Sequence, residues 1–422
     1  MTVPDVRGAV ADAHRREWAY VLAATARVAG DIDLAEECVQ DAYVSALDAW
    51  TRDGVPSNPG AWLTVAARRK ALDAHRRDRT LRAKLPLLVE PEGDDPTDEL
   101  GADPIADDRL RLVFTCCHPA LAREAQVALT LRLICGLTTA EIAQAFLVPE
   151  ATMAARVTRA KKKISAARIA YRVPAAAELP DRLDAVLTVA HLLYTSGHTA
   201  PSGPDLVRTD LVSRAFDLTH MLRYLMPDER EVRGLLGLML LTDARRTTRT
   251  GPDGRLLLLE EQERSQWDRT AIEEGSRLVV AALRGGRPGR FALQAAIAAL
   301  HAEAPSFAET DWTQVVGLYN ELLRIWPSPV VELNRAVAVS MLDGPAGSLA
   351  EALAEVRRLE RDGRLDGYRY LHATKADLLR RLGRYPEAAA AYRMALALAD
   401  NAPERAFLTT RLATLPPATR DS

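Results

Sequence analysis

Arg156, Arg159, Lys161, Lys162 and Lys163 crowd one short segment in which the apolar Met153 and Val157 lie four residues apart. On a helix that spacing turns the two apolar side chains inward and the cations outward. A row of outward cations suits phosphate binding, which gives affinity without reading sequence. Arg68, Arg69, Arg76 and Arg77 make a second such row. Elsewhere, Cys116, Cys117 and His118 invite a metal or redox reading, but there is no C-x-x-C and no second ligand pair at zinc spacing. Buried thiols are expected instead. His191, Tyr194, His198 and His220 lack any H-E-x-x-H, G-x-S-x-G or paired-carboxylate pattern, so they read as satisfied structural residues. The glycine-rich stretches Thr195–Gly203 and Arg284–Arg290 have neither the spacing nor the lysine of a phosphate-binding loop. No catalytic role, cofactor or metal is expected.

The elements that position these cations can be read from the same residues. Leu137–Ile164 predicts helix, tight turn, helix. Thr139 is the expected cap of the first helix, with Ile142, Ala143 and Phe146 apolar on one side; Leu147, Val148 and Pro149 form the break. This is the pattern of a DNA-reading helix-turn-helix, whose second helix enters the major groove. Upstream, Gly30–Trp50 predicts a helix apolar on Ile32, Leu34, Ala35, Val39, Ala42, Tyr43, Ala46, Leu47 and Trp50, with Asp33, Glu36, Glu37, Gln40 and Asp41 on its other face. After a loop, Thr51–Pro59, a third helix is apolar on Trp62, Leu63, Val65, Ala66 and Leu72, with the arginines opposite.

Composition sets the frame. A chain of 422 residues exceeds a single small core. Aromatics are 5% of the residues, strand formers are scarce, and an all-α fold is expected. No apolar run approaches the roughly 18–20 residues that span a bilayer, and the first twenty residues lack a signal-peptide apolar block, so a cytoplasmic protein with no membrane association is expected. The net charge of −2 hides segregation: eight cations between Arg68 and Lys84, nine carboxylates and no cation between Glu90 and Asp108, then seven cations against one acid between Glu150 and Arg172. Two positive surfaces are joined by an acidic tether.

The arrangement G-D-x-x-x-A-E-E-x-V-Q-D-A followed by P-x-A-W-L-x-x-x-A-R-x-x-A-x-D-x-x-R-R resembles region 2 of extracytoplasmic-function sigma factors. The helix-turn-helix at Leu137–Ile164 is similar to their region 4. The resemblance implies a region 2 helical bundle at 10–78, an acidic linker at 79–105 and a region 4 helix-turn-helix at 106–172. It further implies that Glu36, Glu37, Gln40 and Asp41 dock on the β′ clamp helices of core RNA polymerase, and that region 4 meets the β flap. Asp53, Ser57 and Asn58 fall where a flipped base of the promoter −10 element is captured, although such residues are also ordinary turn formers. Trp62 reads more as core than as a stacking platform. Arg68, Arg69, Arg76 and Arg77 would hold promoter phosphates near that element. Thr152, Arg156, Arg159, Lys161 and Lys162 would face the −35 element. Ala154 and Ala155 stand where the family usually has a basic residue and a serine, so the family's −35 preference does not carry over and discrimination leans on Arg156, Thr152 and DNA shape.

More than half the chain lies beyond a minimal sigma factor, past a proline-bounded joint at Val173–Pro180. Helices are expected at about 181–196, 206–226, 229–246, 267–283 and 291–301, within a helical domain at 180–302. The Gly251–Gly254 turn could close a small hairpin into Leu256–Leu259. At 303–416, Val315, Tyr319 and Leu322 are echoed by Ala352, Val356 and Leu359, then by Ala388, Tyr392 and Ala395, and Arg380–Ala399 is close to the second half of a tetratricopeptide (TPR) repeat. Such solenoids usually bind protein or peptide, so a partner of that kind is expected. The reading is therefore a sigma factor regulated by its helical extension. The alternative is a DNA-binding TPR scaffold that no longer engages polymerase.

Overall fold

A computed structural model describes residues 6–84, 108–146, 148–169, 171–175, 177–200, 202–252, 254–342 and 345–416. Most of the acidic tether (85–107) and Leu147 of the helix-turn-helix break lie outside the described residues. The fold is all-α, as expected, with the chain dividing into compact units at 1–189 and 190–422.

In the first unit α1 (Val6–Ala29), α2 (Ile32–Asp53) and α3 (Pro59–Lys84) pack mutually as a three-helix bundle. Its core holds Trp18, Leu22, Val39, Tyr43, Trp50 and Leu63. Asp31 caps α2 by accepting from the Leu34 amide at 2.9 Å, and Gly54, at φ +86°, ends it. Asn58 caps α3 through the Ala61 amide at 3.0 Å. A second group follows: α4 (Asp108–Cys116), α5 (Arg123–Leu129) running into one π-helical turn (Thr130–Ile134), α6 (Thr139–Ala145) and α7 (Glu150–Ala166).

Three expectations need correction. The cap of α6 is Thr138, not Thr139: its hydroxyl accepts from the Glu141 amide (3.2 Å) while Glu141 accepts from the Thr138 amide (2.6 Å), a reciprocal capping box. The loop after α2 is shorter than Thr51–Pro59, because α2 continues through Asp53. Leu47, Val65 and Leu72, read as core-facing, are 38%, 50% and 48% exposed, since the bundle interior is filled by small residues such as Ala46, Ala67 and Ala71.

The two groups of this unit pack on each other through α1. The Trp18 indole Nε1 donates to the Leu133 carbonyl at 3.1 Å, and the Tyr171 hydroxyl donates to the Ala23 carbonyl at 2.9 Å. Gly136, at φ +68°, lies so close that a Cβ there would sit 3.2 Å from both His14 and Trp18.

The boundary with the second unit falls inside α8 (Leu179–His198). The second unit continues with α9 (Thr209–Leu225), α10 (Arg230–Asp243), α11 (Arg269–Leu283), α12 (Arg290–Glu303), α13 (Trp312–Ile325), α14 (Pro329–Val339), α15 (Pro345–Asp362), α16 (Arg369–Arg381), α17 (Tyr385–Ala397) and α18 (Ala402–Ala413). From α12 to α18 each helix packs on the next, a solenoid. Gly383, at φ +73°, makes the turn from α16 to α17. The echoed residues Val315, Leu322, Ala352, Val356, Leu359, Ala388, Tyr392 and Ala395 are all buried, and Tyr319 is half-buried. The Gly251 turn closes a hairpin only one bridge deep, Thr250 against Leu256, before a 3₁₀ turn begins at Leu259. Two-residue strands β1 (Ser202–Gly203) and β2 (Asp400–Asn401) pair in parallel. The Asn401 amide donates to the carbonyls of Ala200 (3.1 Å) and Asp205 (2.9 Å), tying the beginning of this unit to its end.

Candidate nucleic-acid and protein interfaces

Helical period places Glu37, Gln40, Asp41, Val44, Leu47 and Asp48 along one exposed stripe of α2. Val44, at 61% exposure, adds an apolar element that the sequence reading did not single out. The three- and four-residue spacing carries that signal, which the apolar character of Leu47 masks by suggesting core.

Glu36 is not on that stripe. It is buried, with Oε2 2.6 Å from the Lys161 ammonium of α7 and Oε1 paired with the Arg132 guanidinium of the π turn. Asp33 reaches the same ammonium at 2.7 Å. Burial pulls the Lys161 pKa down, but hydrogen bonds to Asp33 and Glu36 outweigh it and leave the pKa above the ordinary lysine value. Arg132 carried no functional expectation. Its role depends on the packing of two groups far apart in sequence, which local patterns do not encode.

The residues placed near the −10 element divide. Ser57 is exposed in the loop, Asn58 spends its side-chain oxygen on capping α3, and Asp53 sits on the last turn of α2. The neighbouring Arg52, 2.9 Å from Asp53, holds that carboxyl below its usual pKa through a hydrogen bond. Trp62 is half-buried and edge-on to Trp50 at 5.8 Å. Arg69, Arg76 and Arg77 are exposed on α3, whereas Arg68 is half-buried and donates from Nε to the Ala24 carbonyl at 3.2 Å. Asp73 lies 3.5 Å from Arg76.

On α7, Met153, Val157, Ala160 and Ile164 form the buried side. Thr152, Arg159 and Lys162 are exposed, Arg156 is half-buried, and Ala154 and Ala155 lie on the outer face. This helix follows Pro149 and packs on α6, the arrangement of a helix-turn-helix.

The cysteines, Tyr194 and His198 are buried, whereas His220 is exposed. All four cysteines are buried, and burial raises the pKa of Cys116 and, to about 11, that of Cys117. Tyr194 stacks on His198 and also hydrogen-bonds the Met239 carbonyl at 3.3 Å; His191 packs edge-on to Phe291. Burial lowers His191 to about 4, and burial with Arg249, Arg245 and Arg246 nearby lowers His198 to about 2, so both are neutral at physiological pH. Among the described residues no helix is long and apolar enough to cross a membrane.

Comparison with known proteins agrees with this geometry. Residues 13–80 match the model of sigma-70 region 2 and residues 111–164 that of sigma-70 region 4. Residues 182–283 match a family of unknown function (DUF6596). An uncharacterized protein of Rhizobium meliloti (strain 1021) is 43% identical over 389 residues, 90% of each chain. A probable ECF RNA polymerase sigma factor, SigI, of Mycobacterium tuberculosis (strain ATCC 25618 / H37Rv) is 30% identical over 168 residues, covering 39% of this chain and 57% of that one. No solved structure matches. With both sigma regions present in order, each built as a helical module with its charged face outward, the chain belongs to the extracytoplasmic-function sigma factors, in a form that carries a long C-terminal helical extension.

Proposed function

We propose that residues 10–172 recruit core RNA polymerase to promoters through two surfaces. The α2 stripe of Glu37, Gln40, Asp41, Val44 and Leu47 takes the β′ clamp helices. The outer face of α7, with Thr152, Arg156, Arg159 and Lys162, takes the −35 element, next to the β flap. Arg69, Arg76 and Arg77 hold phosphates near the −10 element, where Ser57 is the loop residue best exposed to a flipped base. Strand separation needs no nucleotide hydrolysis, because a few kcal/mol of base extrusion is offset by about 1–3 kcal/mol per captured base. The observation that carries the reading is the exposure of a mixed apolar and acidic stripe on α2 together with an exposed cationic face on α7, in one unit.

Glu36 and Lys161 belong to this proposal in a different role. Each satisfies the other, so a polymerase surface reaching Glu36, or a phosphate reaching Lys161, has to displace a buried ion pair first. Regions 2 and 4 thus hold each other closed, and promoter engagement requires them to separate.

The extension regulates this module through interaction with a partner, a reading supported by its solenoid of stacked helices. Arg182 donates to the Phe114 carbonyl at 2.7 Å, so a truncation test should keep α8. Equal promoter activity from the full chain and from a chain ending after His198 would sink the regulatory reading.

Titration of purified core polymerase with the full chain, without DNA, decides between sigma factor and scaffold. Saturable binding, weakened by reversing Glu37 and Asp41 to lysine, supports the sigma reading. DNA binding without polymerase binding would favour the scaffold.

A further inference from the structure

The inner side of the C-terminal solenoid holds a cavity of about 760 Å³, lined mainly by α13, α14, α16 and α18 with the segment Leu256–Glu260 beside them. Sites for small molecules fall in the range of about 300–1,000 Å³ and combine apolar walls with a few converging polar groups. This cavity has that character. Phe307, Trp312, Tyr319, Tyr392 and Phe407 supply aromatic wall, and Met341 adds an adaptable one.

Its charges do not cancel. Arg369, Arg380, Arg381 and Arg411 line it against Glu260, Asp377 and Glu404. Arg369 is paired with Glu404 at 2.9 Å and Arg380 with Asp377 at 2.7 Å. Arg381 has neutral partners instead, donating to the Ser340 hydroxyl (3.0 Å) and carbonyl (2.8 Å). Arg411 lies over the Phe407 ring and 4.0 Å from Glu261. His301 also lines the cavity; its Nδ1 is shielded from solvent and has no hydrogen-bond partner. Burial, with Arg245 and Arg264 nearby, lowers its pKa to about 4, so it adds no charge at neutral pH.

We propose that this cavity binds a small amphipathic monocarboxylate, its aliphatic or aromatic body against the aromatic wall and its carboxylate toward Arg381 and Arg411. Arg381, a lining cation held by neutral groups, complements a monoanion better than a phosphate ester, and a largely apolar wall disfavours a strongly hydrated ligand. The site is separate from the sigma surfaces, so its test reads binding and leaves the transcriptional reading untouched.

Calorimetric titration of the full chain with decanoate and with indole-3-propionate, each beside its neutral amide, tests the proposal. At least one acid should bind at about 1 mM or below and exceed its amide by roughly tenfold. Arg411→Gln, which alters a half-buried side chain, should erase that preference. Ala373→Phe, which fills the cavity, should abolish binding of acid and amide alike. The proposal is overturned if neither acid binds at about 1 mM, if acid and amide bind equally to the unaltered chain, or if binding survives Ala373→Phe. The acid-to-amide comparison needs no variant, so a misfolded substitution does not remove the test.

Discussion

Lys161 on α7 and Glu36 on α2 stand 2.6 Å apart, Nζ to Oε2, with only 11% and 7% of their side chains exposed. Arg132 and Asp33 complete a four-membered network. Two residues that the family resemblance assigns to different macromolecules are thus spent on each other.

Removing one member of a buried pair leaves an uncompensated charge and costs about 3–5 kcal/mol. Glu36→Ala strands Arg132 and leaves Lys161 only the exposed Asp33, so it should approach that range. Lys161→Met leaves Arg132 against Glu36 and should cost clearly less. Urea unfolding of the full chain measures both; equal costs would show that the network does not act as described.

Val44 and the closed pair make opposite predictions for polymerase affinity. Val44→Asp places a charge in the exposed stripe and should weaken core binding roughly ten- to a hundredfold without lowering the melting temperature. Lys161→Met loosens the closed arrangement and should strengthen core binding in the absence of DNA. Unchanged affinity in Val44→Asp would remove the α2 stripe from the interface.

Phosphate contacts on α7 predict a salt signature. Arg159→Gln or Lys162→Gln should each reduce the slope of log affinity against log salt by about 0.9 on duplex DNA. Binding measured by fluorescence anisotropy over a salt series gives the slope directly. An unaltered slope in both variants would place the phosphates elsewhere.

The two halves of the function differed in how far sequence could disclose them. Met153 and Val157 on one side of α7, and Thr152, Arg159 and Lys162 on the other, follow from helical period alone, and the structure places them so. The all-α architecture and the approximate positions of α8 to α12 were legible for the same reason. The burial of Glu36 and Lys161 was not, because it arises from packing of α2 against the π turn and α7, each more than 90 residues further along the chain. Leu47, Val65 and Leu72 misled because apolar residues on a helix suggest core, and only the filled bundle interior shows which of them had no room there. The cavity of the second unit likewise depends on helices brought together from α13 to α18.

Acid should loosen the second unit before ordinary carboxylate titration explains it. Folded His191 and His301 titrate near 4 and His198 near 2, against about 6.5 when unfolded. The unfolded state therefore binds more protons between about pH 6.5 and pH 4, so stability is full above that window and falls as pH drops through it. At pH 5 the loss is on the order of 1–2 kcal/mol per histidine. Hydrogen exchange of α8 and α12 at pH 7 and pH 5, corrected for intrinsic rates, reads it; equal protection would contradict the burial of these rings.

Run-off transcription on fragmented source DNA tests the central claim most directly, using purified core polymerase, the full chain, and a Glu37→Lys/Asp41→Lys variant at low salt. The account predicts discrete new start sites with the full chain and their loss with the variant. No new starts, or the same starts from both proteins, would contradict it.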